Sequence, residues 1–361
     1  MLNQIAGLLR RSPGVKARAI AAELGVEKSE VNKLLYANSD RFECDASAQW
    51  SLATAPVLRV KLASDNWLHT SGFEAAISRA SPLKSASTRV VFEIDCKLML
   101  EALARLLALC NQLVAAGKKV TLDFTGSKPS LTYLDRIGFL ELLSQSILVL
   151  PQRPTQERAQ AFRGNNDGVI EFRRIDTDAP DQEIPRLLQK SFVRLTNESY
   201  SVAALTILGE LFDNVLEHSG TNSAGFAGLQ HYPGGGCIQT VISDNGLGIV
   251  GTLMPVLRTR YPEIAVKVAK AHHPEAALLE EVFVAGALSM VQADGRGLGL
   301  KTSRVLAGKF SAQISVRQSD FELRISHGPK GVSFKSKRGL ALIHGTHVCF
   351  DFKLDGSVNA A

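Results

Sequence analysis

No uninterrupted apolar run in these 361 residues approaches the roughly 18 needed to cross a bilayer as a helix. Stretches such as Ile147–Leu150 are only strand-sized. Paired cysteines are missing too. The five present (Cys44, Cys96, Cys110, Cys237, Cys349) are odd in number, widely spaced and without a C-x-x-C pair. They are expected to be reduced, mostly buried thiols of a cytoplasmic protein. The first residues lack an apolar core followed by a small-residue cleavage site, so no signal peptide is expected. There is no internal repeat and no low-complexity tract. Neither sign of charge dominates: 41 Lys and Arg face 35 Asp and Glu, a formal charge of +6 that permits contact with nucleic acid without establishing it.

What is present is ordinary globular composition, 45% hydrophobic and 21% charged, long enough for two or three domains and for a core needing no disulfide or metal. The expected fold class is a multidomain α/β protein. Residues 1–55 read as helix, helix, helix and a short hairpin, the order of a winged helix-turn-helix. Ile5, Leu8 and Leu9 form one apolar stripe, Ile20 and Leu24 a second closing at Gly25, and Val31, Leu34 and Leu35 a third. Arg41–Cys44 and Gln49–Leu52 are the expected hairpin strands. A less regular, Ser- and Ala-rich stretch is expected over residues 53–88.

Residues 86–152 alternate strand and helix and read as a small layered α/β module. Its strands are placed at Val90–Ile94, Val120–Phe124 and Ile147–Leu150, and its helices at Met99–Ala116 and Leu131–Leu143. Residues 151–168 carry the strongest loop signals and are the expected linker. From 169 to 355 the pattern is helix, strands, a long insert, helix and several short strands, an α/β sandwich.

This last zone carries the chemistry. Ile207, Leu208, Leu211, Phe212, Val215 and Leu216 recur with helical period. Glu210 and Asn214, four apart, therefore share one face of that helix. An asparagine oxygen suits Mg²⁺, a hard cation, and a neighbouring glutamate can position or deprotonate an attacking water. Downstream, Asp244 ends a strand that runs into a turn containing Gly246 and Gly248. A carboxylate there can accept from an exocyclic amine such as adenine N6. Gly295, Gly297 and Gly299 precede a helical pattern, where backbone N–H groups and the helix dipole can cradle phosphates. Gly345 and Thr346 enter a terminal strand.

In this order the four stretches resemble the nucleotide pocket of the GHKL superfamily, the Bergerat fold of gyrase, heat-shock chaperones, histidine kinases and mismatch-repair ATPases. The resemblance covers about residues 195–352. It implies that Asp244 holds adenine and that Thr346 shares the water beside it. It further implies Asn214 on Mg²⁺, Glu210 as the catalytic residue, and Gly295, Gly297 and Gly299 around the phosphates of ATP, under a lid of residues 250–294. Gly246 to Gly251 also satisfies G-x-G-x-x-G, but it arrives mid-domain with no strand-end acid about 20 residues on, against a dinucleotide fingerprint. Asp213, His218 and Lys301 lie beside these boxes and have bland readings as capping, packing or solvated groups. His272 and His273 lack metal-ligand company.

At the other end, Lys28, Asn32 and Tyr36 fall on one face of the third helix, with Lys33 beside them and Trp50 in the hairpin. Lysine and asparagine reach phosphates; the rings offer aromatic faces. The set resembles the winged helix of Zα-type domains, which bind Z-form DNA or RNA, with Lys33 where that family has arginine and Ser47-Ala48 where it has paired prolines. The resemblance implies nucleic acid as a partner. Buried aromatics, or a winged helix for B-form DNA or protein, are the alternatives. The middle zone weakly resembles the STAS-like antagonists of anti-sigma serine kinases, through Val120–Phe124 and Leu134–Gly138. Arg136 stands where those partners carry the phosphorylated serine, which excludes transfer to that position and favours a scaffold or sensor.

The whole is expected to be a cytoplasmic ATPase or conformational switch coupled to nucleic acid, with a protein partner reading the lid. The alternatives are a serine or histidine kinase of the anti-sigma type and an ATP-sensing transcription regulator.

Overall fold

Apolar residues at helical spacing and two short antiparallel pairings assemble the N-terminal unit. Its elements are α1 (Leu2–Arg11), β1 (Val15–Lys16), α2 (Ala17–Leu24), α3 (Lys28–Ala37), β2 (Phe42–Cys44) and β3 (Gln49–Leu52). The strands run in the order β1-β3-β2. Ile5, Leu9, Ile20, Val31, Leu35, Phe42 and Trp50 make its core. Helix α2 stops at Gly25, whose φ of 67° is the left-handed conformation that ends helices without a Cβ clash. These observations come from a computed structural model, which describes residues 1–39, 41–53, 57–155, 157–218, 224–285, 312–328 and 331–354.

A parallel sheet follows, in the order β4-β6-β8-β9. Its zone comprises β4 (Val57–Leu62), β5 (Trp67–Leu68), α4 (Thr70–Ala80), β6 (Arg89–Ile94), β7 (Lys97–Leu98), α5 (Leu100–Ala115), β8 (Lys119–Asp123), α6 (Lys128–Arg136), α7 (Phe139–Leu142), β9 (Leu148–Leu150) and α8 (Glu157–Phe162). The stretch expected to be irregular, 53–88, thus supplies two strands and a helix. Leu58, Val60 and Leu62 alternate with Arg59 and Lys61, a period of two that the Ser- and Ala-rich flanks conceal. Helix α4 buries Phe73, Glu74 and Ile77 at helical spacing. The helix expected over Leu131–Leu143 is two helices, broken at Gly138 with φ 74°. A Cβ there would sit 3.2 Å from the Phe172 carbonyl oxygen, and the neighbouring Ile137 carbonyl accepts from the Phe172 N–H at 2.8 Å. The expected linker contains α8.

The C-terminal zone comprises β10 (Val169–Ile175), α9 (Glu183–Leu195), α10 (Ser201–His218), β11 (Gly225–Tyr232), β12 (Cys237–Ser243), α11 (Gly248–Leu253), α12 (Leu257–Arg260), α13 (Pro262–Lys270), α14 (Pro274–Ala285), β13 (Gln313–Gly328) and β14 (Gly331–Lys353). Its five strands pair antiparallel in the order β10-β11-β12-β14-β13. The molecule is therefore mixed α/β with parallel and antiparallel sheets. None of its described helices is long and apolar enough to cross a membrane, and none of the five cysteines is in a disulfide.

The two large sheets share one helix layer. Alternate residues of β12 and β14 face opposite ways: Ile238, Ile242, Val348 and Phe350 pack with α10, while Val241 and Cys349 join the core built around α5. Six of the seven β12 residues are buried and the seventh half-buried, as for a strand covered on both faces. Helix α5 is correspondingly buried all round, with Leu103, Arg105, Leu106, Leu107, Leu109 and Cys110 shielded from water. Its first N–H groups are capped from the antiparallel sheet: Leu100 N–H donates to the Tyr232 hydroxyl at 2.7 Å and Glu101 N–H to Gln239 Oε1 at 3.4 Å.

Ions are buried in this layer. Arg105 pairs with Glu74 at 2.7 Å, Glu101 at 2.6 Å and Glu322 at 2.8 Å, and Arg317 pairs with Glu74 at 3.0 Å. Burial opposes the charge on Arg105, but Glu101, Glu322 and Glu74 outweigh it and hold the proton more tightly than usual. Removing one member leaves buried charge uncompensated. Glu74→Ala is expected to lower stability by about 3–5 kcal/mol. Arg59→Ala, which breaks the half-exposed Arg59–Glu93 pair, is expected to cost no more than about 1 kcal/mol. Urea unfolding of the two variants measures the difference.

Candidate functional site

Two strand ends and one helix converge on Asp244. The carboxylate follows β12 directly and is buried, held in place by backbone. Gly246 N–H donates to its Oδ1 at 2.7 Å and Thr346 N–H to its Oδ2 at 3.1 Å. Asp244 N–H donates in turn to the Thr346 carbonyl at 2.9 Å. With the Thr346 hydroxyl donating to it as well, the carboxylate keeps one lone pair for a further donor. The close approach requires glycine. Gly345 has φ 90°, and a Cβ there would lie 2.1 Å from the Asp244 carbonyl oxygen. Gly248, at φ 74°, would bring a Cβ within 3.2 Å of the Gly345 carbonyl oxygen.

Helix α11 starts where this turn ends, and the sheet caps it. Ile249 N–H donates to Thr346 Oγ1 at 3.3 Å and Val250 N–H to Gln318 Oε1 at 3.0 Å. The Gln318 amide then donates to Thr346 Oγ1 at 3.2 Å. Since its oxygen must accept from Val250, the amide orientation is fixed. The Thr346 hydroxyl oxygen thus accepts twice, and its own proton is left to Asp244. Gln318 carried no motif; it is a single buried glutamine in β13, and only its strand partner Thr346 marks its position.

Asp244, Thr346 and Asn214 line one cavity with Leu211, Val215, Ile242, Ile249 and Val348. Asn214 reaches it from α10, and Glu210, half-buried, lies one turn earlier on the same helix. The cavity is about 20 Å³, room for a water and not for a purine. Gly295, Gly297, Gly299 and Lys301 lie outside the described residues, as do the His218 side chain and the later part of the 250–294 segment. The earlier part of that segment is helical, α11 to α14. Asp213 is exposed. No group of three or more His, Cys, Asp or Glu residues that could hold a metal occurs among the described residues.

On the opposite side of the sheet, α5 touches the same turn. The Gln112 amide donates to Asn245 Oδ1 at 3.1 Å and to the His344 carbonyl at 2.9 Å, and its oxygen accepts the His344 N–H at 2.9 Å. His347, next to Thr346, is buried and kept neutral. Burial first, then Arg317 and Arg105, push its pKa down to about 3.

In the N-terminal unit, Lys28 and Lys33 are exposed and Asn32 half-buried on α3. Tyr36 is 41% exposed and Trp50 only 3%. The rings meet edge-on at 5.0 Å and 83°. Trp50 thus belongs to the core and reaches the surface only by supporting Tyr36. No protein-family model matches the chain, and no curated protein matches it.

Burial pushes the Asp244 carboxyl up to about 6 from its ordinary 3.8, against the hydrogen bonds from Gly246 and Thr346. Because the folded-state value is the higher one, its contribution to stability is complete below about pH 3.8 and lost as pH rises through about 6. A ligand amine needs the ionised form. Any ligand whose amine is held by the ionised carboxylate is therefore expected to bind with an affinity flat above pH 7 and falling by up to about tenfold per pH unit below 6, measured by calorimetry on an amine-bearing nucleoside so that no phosphate titrates. Gln318→Ala, which strands the Val250 N–H, is expected to cost about 1–3 kcal/mol of stability, read by urea unfolding.

Proposed function

We propose that the antiparallel sheet with α9 and α10 is a GHKL-type (Bergerat) ATP·Mg²⁺ site. In this reading the chain is an ATP-driven switch, coupled to a nucleic-acid-binding winged helix of Zα-like character at its N-terminus. The observation that carries the reading is the meeting, in one cavity, of Asn214, Asp244 and Thr346. They come from three separate stretches of sequence, and the carboxylate is buried with acceptor capacity left over. An ionised carboxylate in an apolar wall is costly unless a donor meets it, and the adenine amino group is such a donor. Asn214 would hold Mg²⁺ through its amide oxygen, and the ion would neutralise charge developing on the phosphates. Glu210 takes a proton from the water that attacks the γ-phosphorus, and the bond to the β–γ bridging oxygen breaks to release ADP.

Base entry requires the wall formed by Leu211, Val215 and Ile249 to move back from Asp244. Binding is therefore coupled to a shift between α10, α11 and the sheet. Helix α11 opens the segment read as the lid, so the same shift reaches the surface that a protein partner would read. The middle module touches the site through Gln112 and, by way of Glu74 and Arg317, lies next to Gln318. It is placed to transmit the state of the N-terminal unit.

Incubation with γ-labelled ATP and Mg²⁺, with and without nucleic acid, is expected to release labelled phosphate. Label appearing on protein would instead support a kinase. Glu210→Ala is expected to cut turnover by at least about 100-fold while leaving ATP binding within a few-fold, and Asn214→Ala to weaken binding only when Mg²⁺ is present. Normal turnover by Glu210→Ala would remove that residue from catalysis, and absence of any ATP binding would end the reading.

A further inference from the structure

Part of the α3 face with nucleic-acid character borders a cleft. Asn32, Lys33 and Tyr36 line a cleft of about 760 Å³ whose far wall belongs to the middle module, at Asp123, Thr125 and residues 145–153. The volume is that of a site for a compact ligand, within the roughly 300–1,000 Å³ usual for such clefts. It lies beside the carboxyl end of β8 and along the edge strand β9, and ligands of open parallel sheets gather at strand carboxyl ends.

The far wall is built, not incidental. Arg153 folds back onto the segment before β9, donating to the Ser144 carbonyl at 2.7 Å, to Gln145 Oε1 at 3.1 Å and to the Ile147 carbonyl at 3.3 Å. Asp123 uses one oxygen for its own turn, accepting from the Thr125 N–H at 2.9 Å and hydroxyl at 2.7 Å. Its other oxygen bonds to none of the described residues. On the near wall, Tyr36 packs at a right angle to Trp50 and is 41% exposed, so part of the phenol ring is accessible. The N-terminal unit is tied down beside this cleft by Arg89 of β6, which donates to the carbonyls of Ser39 and Phe42, the latter at 3.1 Å.

These walls present a stacking ring, an ammonium, a guanidinium and a carboxylate. A duplex would need the middle module to stand clear of α3 by the width of a groove, whereas a single strand enters between the two walls. A phosphate is drawn to Lys33 and repelled by Asp123, and the Arg153 guanidinium on the far wall is already taken up by Ser144, Gln145 and Ile147. A base amino group is a fitting donor for the Asp123 carboxylate, as cytosine N4 is for acidic side chains. We propose that this cleft binds single-stranded nucleic acid, with one base stacked on Tyr36, a phosphate at Lys33 and a base amino group on Asp123. The proposal deepens the nucleic-acid reading of the N-terminal unit and rests on it. Adjacent residues of β8 and β9 lead to the α5 layer, so a strand seated here presses on the module that touches the ATP site.

Fluorescence anisotropy of the full chain with labelled hexanucleotides of cytosine, adenine or uracil, and with B-form and Z-form duplexes, tests it. Cytosine and adenine strands are expected to bind at least about tenfold more tightly than uracil, which lacks an amino group, and more tightly than either duplex. Tyr36→Ala is expected to weaken single-strand binding by about 5- to 150-fold, the effect of losing one stacked base. Asp123→Asn is expected to abolish the preference against uracil while leaving urea unfolding unchanged. Duplex binding that exceeds single-strand binding and ignores Asp123→Asn would overturn the cleft proposal and leave the N-terminal nucleic-acid reading intact. Absence of binding to every nucleic acid would overturn both.

Discussion

The burial of Arg105 among three carboxylates is the constraint on which the rest of this molecule depends. A guanidinium inside a helix layer is tolerable only while Glu74, Glu101 and Glu322 stay within contact, and these come from α4, α5 and β13. The pairing therefore fixes the middle module on the antiparallel sheet in one orientation. Apolar packing alone, being non-directional, would not select that orientation so sharply. Helix α5 then serves two sheets, and β12 with the part of β14 after Gly339 is largely buried on both faces.

From this layer the geometry of the candidate site follows. Helix α5 ends beside the turn after Asp244, where Gln112 holds Asn245 and His344 by three hydrogen bonds. On the other face the same turn carries the buried carboxylate. Its backbone is brought against β14 by two glycines at positive φ, and the first N–H groups of α11 are capped by Thr346 and Gln318. Strand ends, helix start and carboxylate thus form one hydrogen-bonded set. In the proposed switch, a nucleotide that parts α10 from the sheet works against that set, and the ion pairs behind it tie the displacement to the middle module.

Much of the outline was legible in the chain. Periodic apolar residues located α1 to α3, α5 and α10 closely, because each buries one face or more and repeats at helical spacing. The strand–glycine stretch at Asp244 stood out because a carboxylate at a strand end followed by glycines has few purely structural uses. The strand β4 and helix α4 were missed, since six residues of alternation are a weak signal inside a Ser- and Ala-rich stretch. The single helix expected at 131–143 ignored what Gly138 does, which is to let β10 come close. Gln318 and Gln112 left no trace, because a lone glutamine acquires meaning only from what stands opposite it.

What the sequence determined by itself is local: which segments bury a face, where glycine must relieve a turn, and which side chains have the chemistry to hold an amine, a cation or a phosphate. The tertiary structure decided which of these meet. It put Asn214, Asp244 and Thr346 around one cavity, buried Trp50 as a support for Tyr36, and set α3 across a cleft from the parallel sheet. Periodicity and spacing constrain residues within a few turns of one another. Contacts between distant segments are chosen by shape and by the need to pair every buried charge, and neither is written in any short stretch of chain.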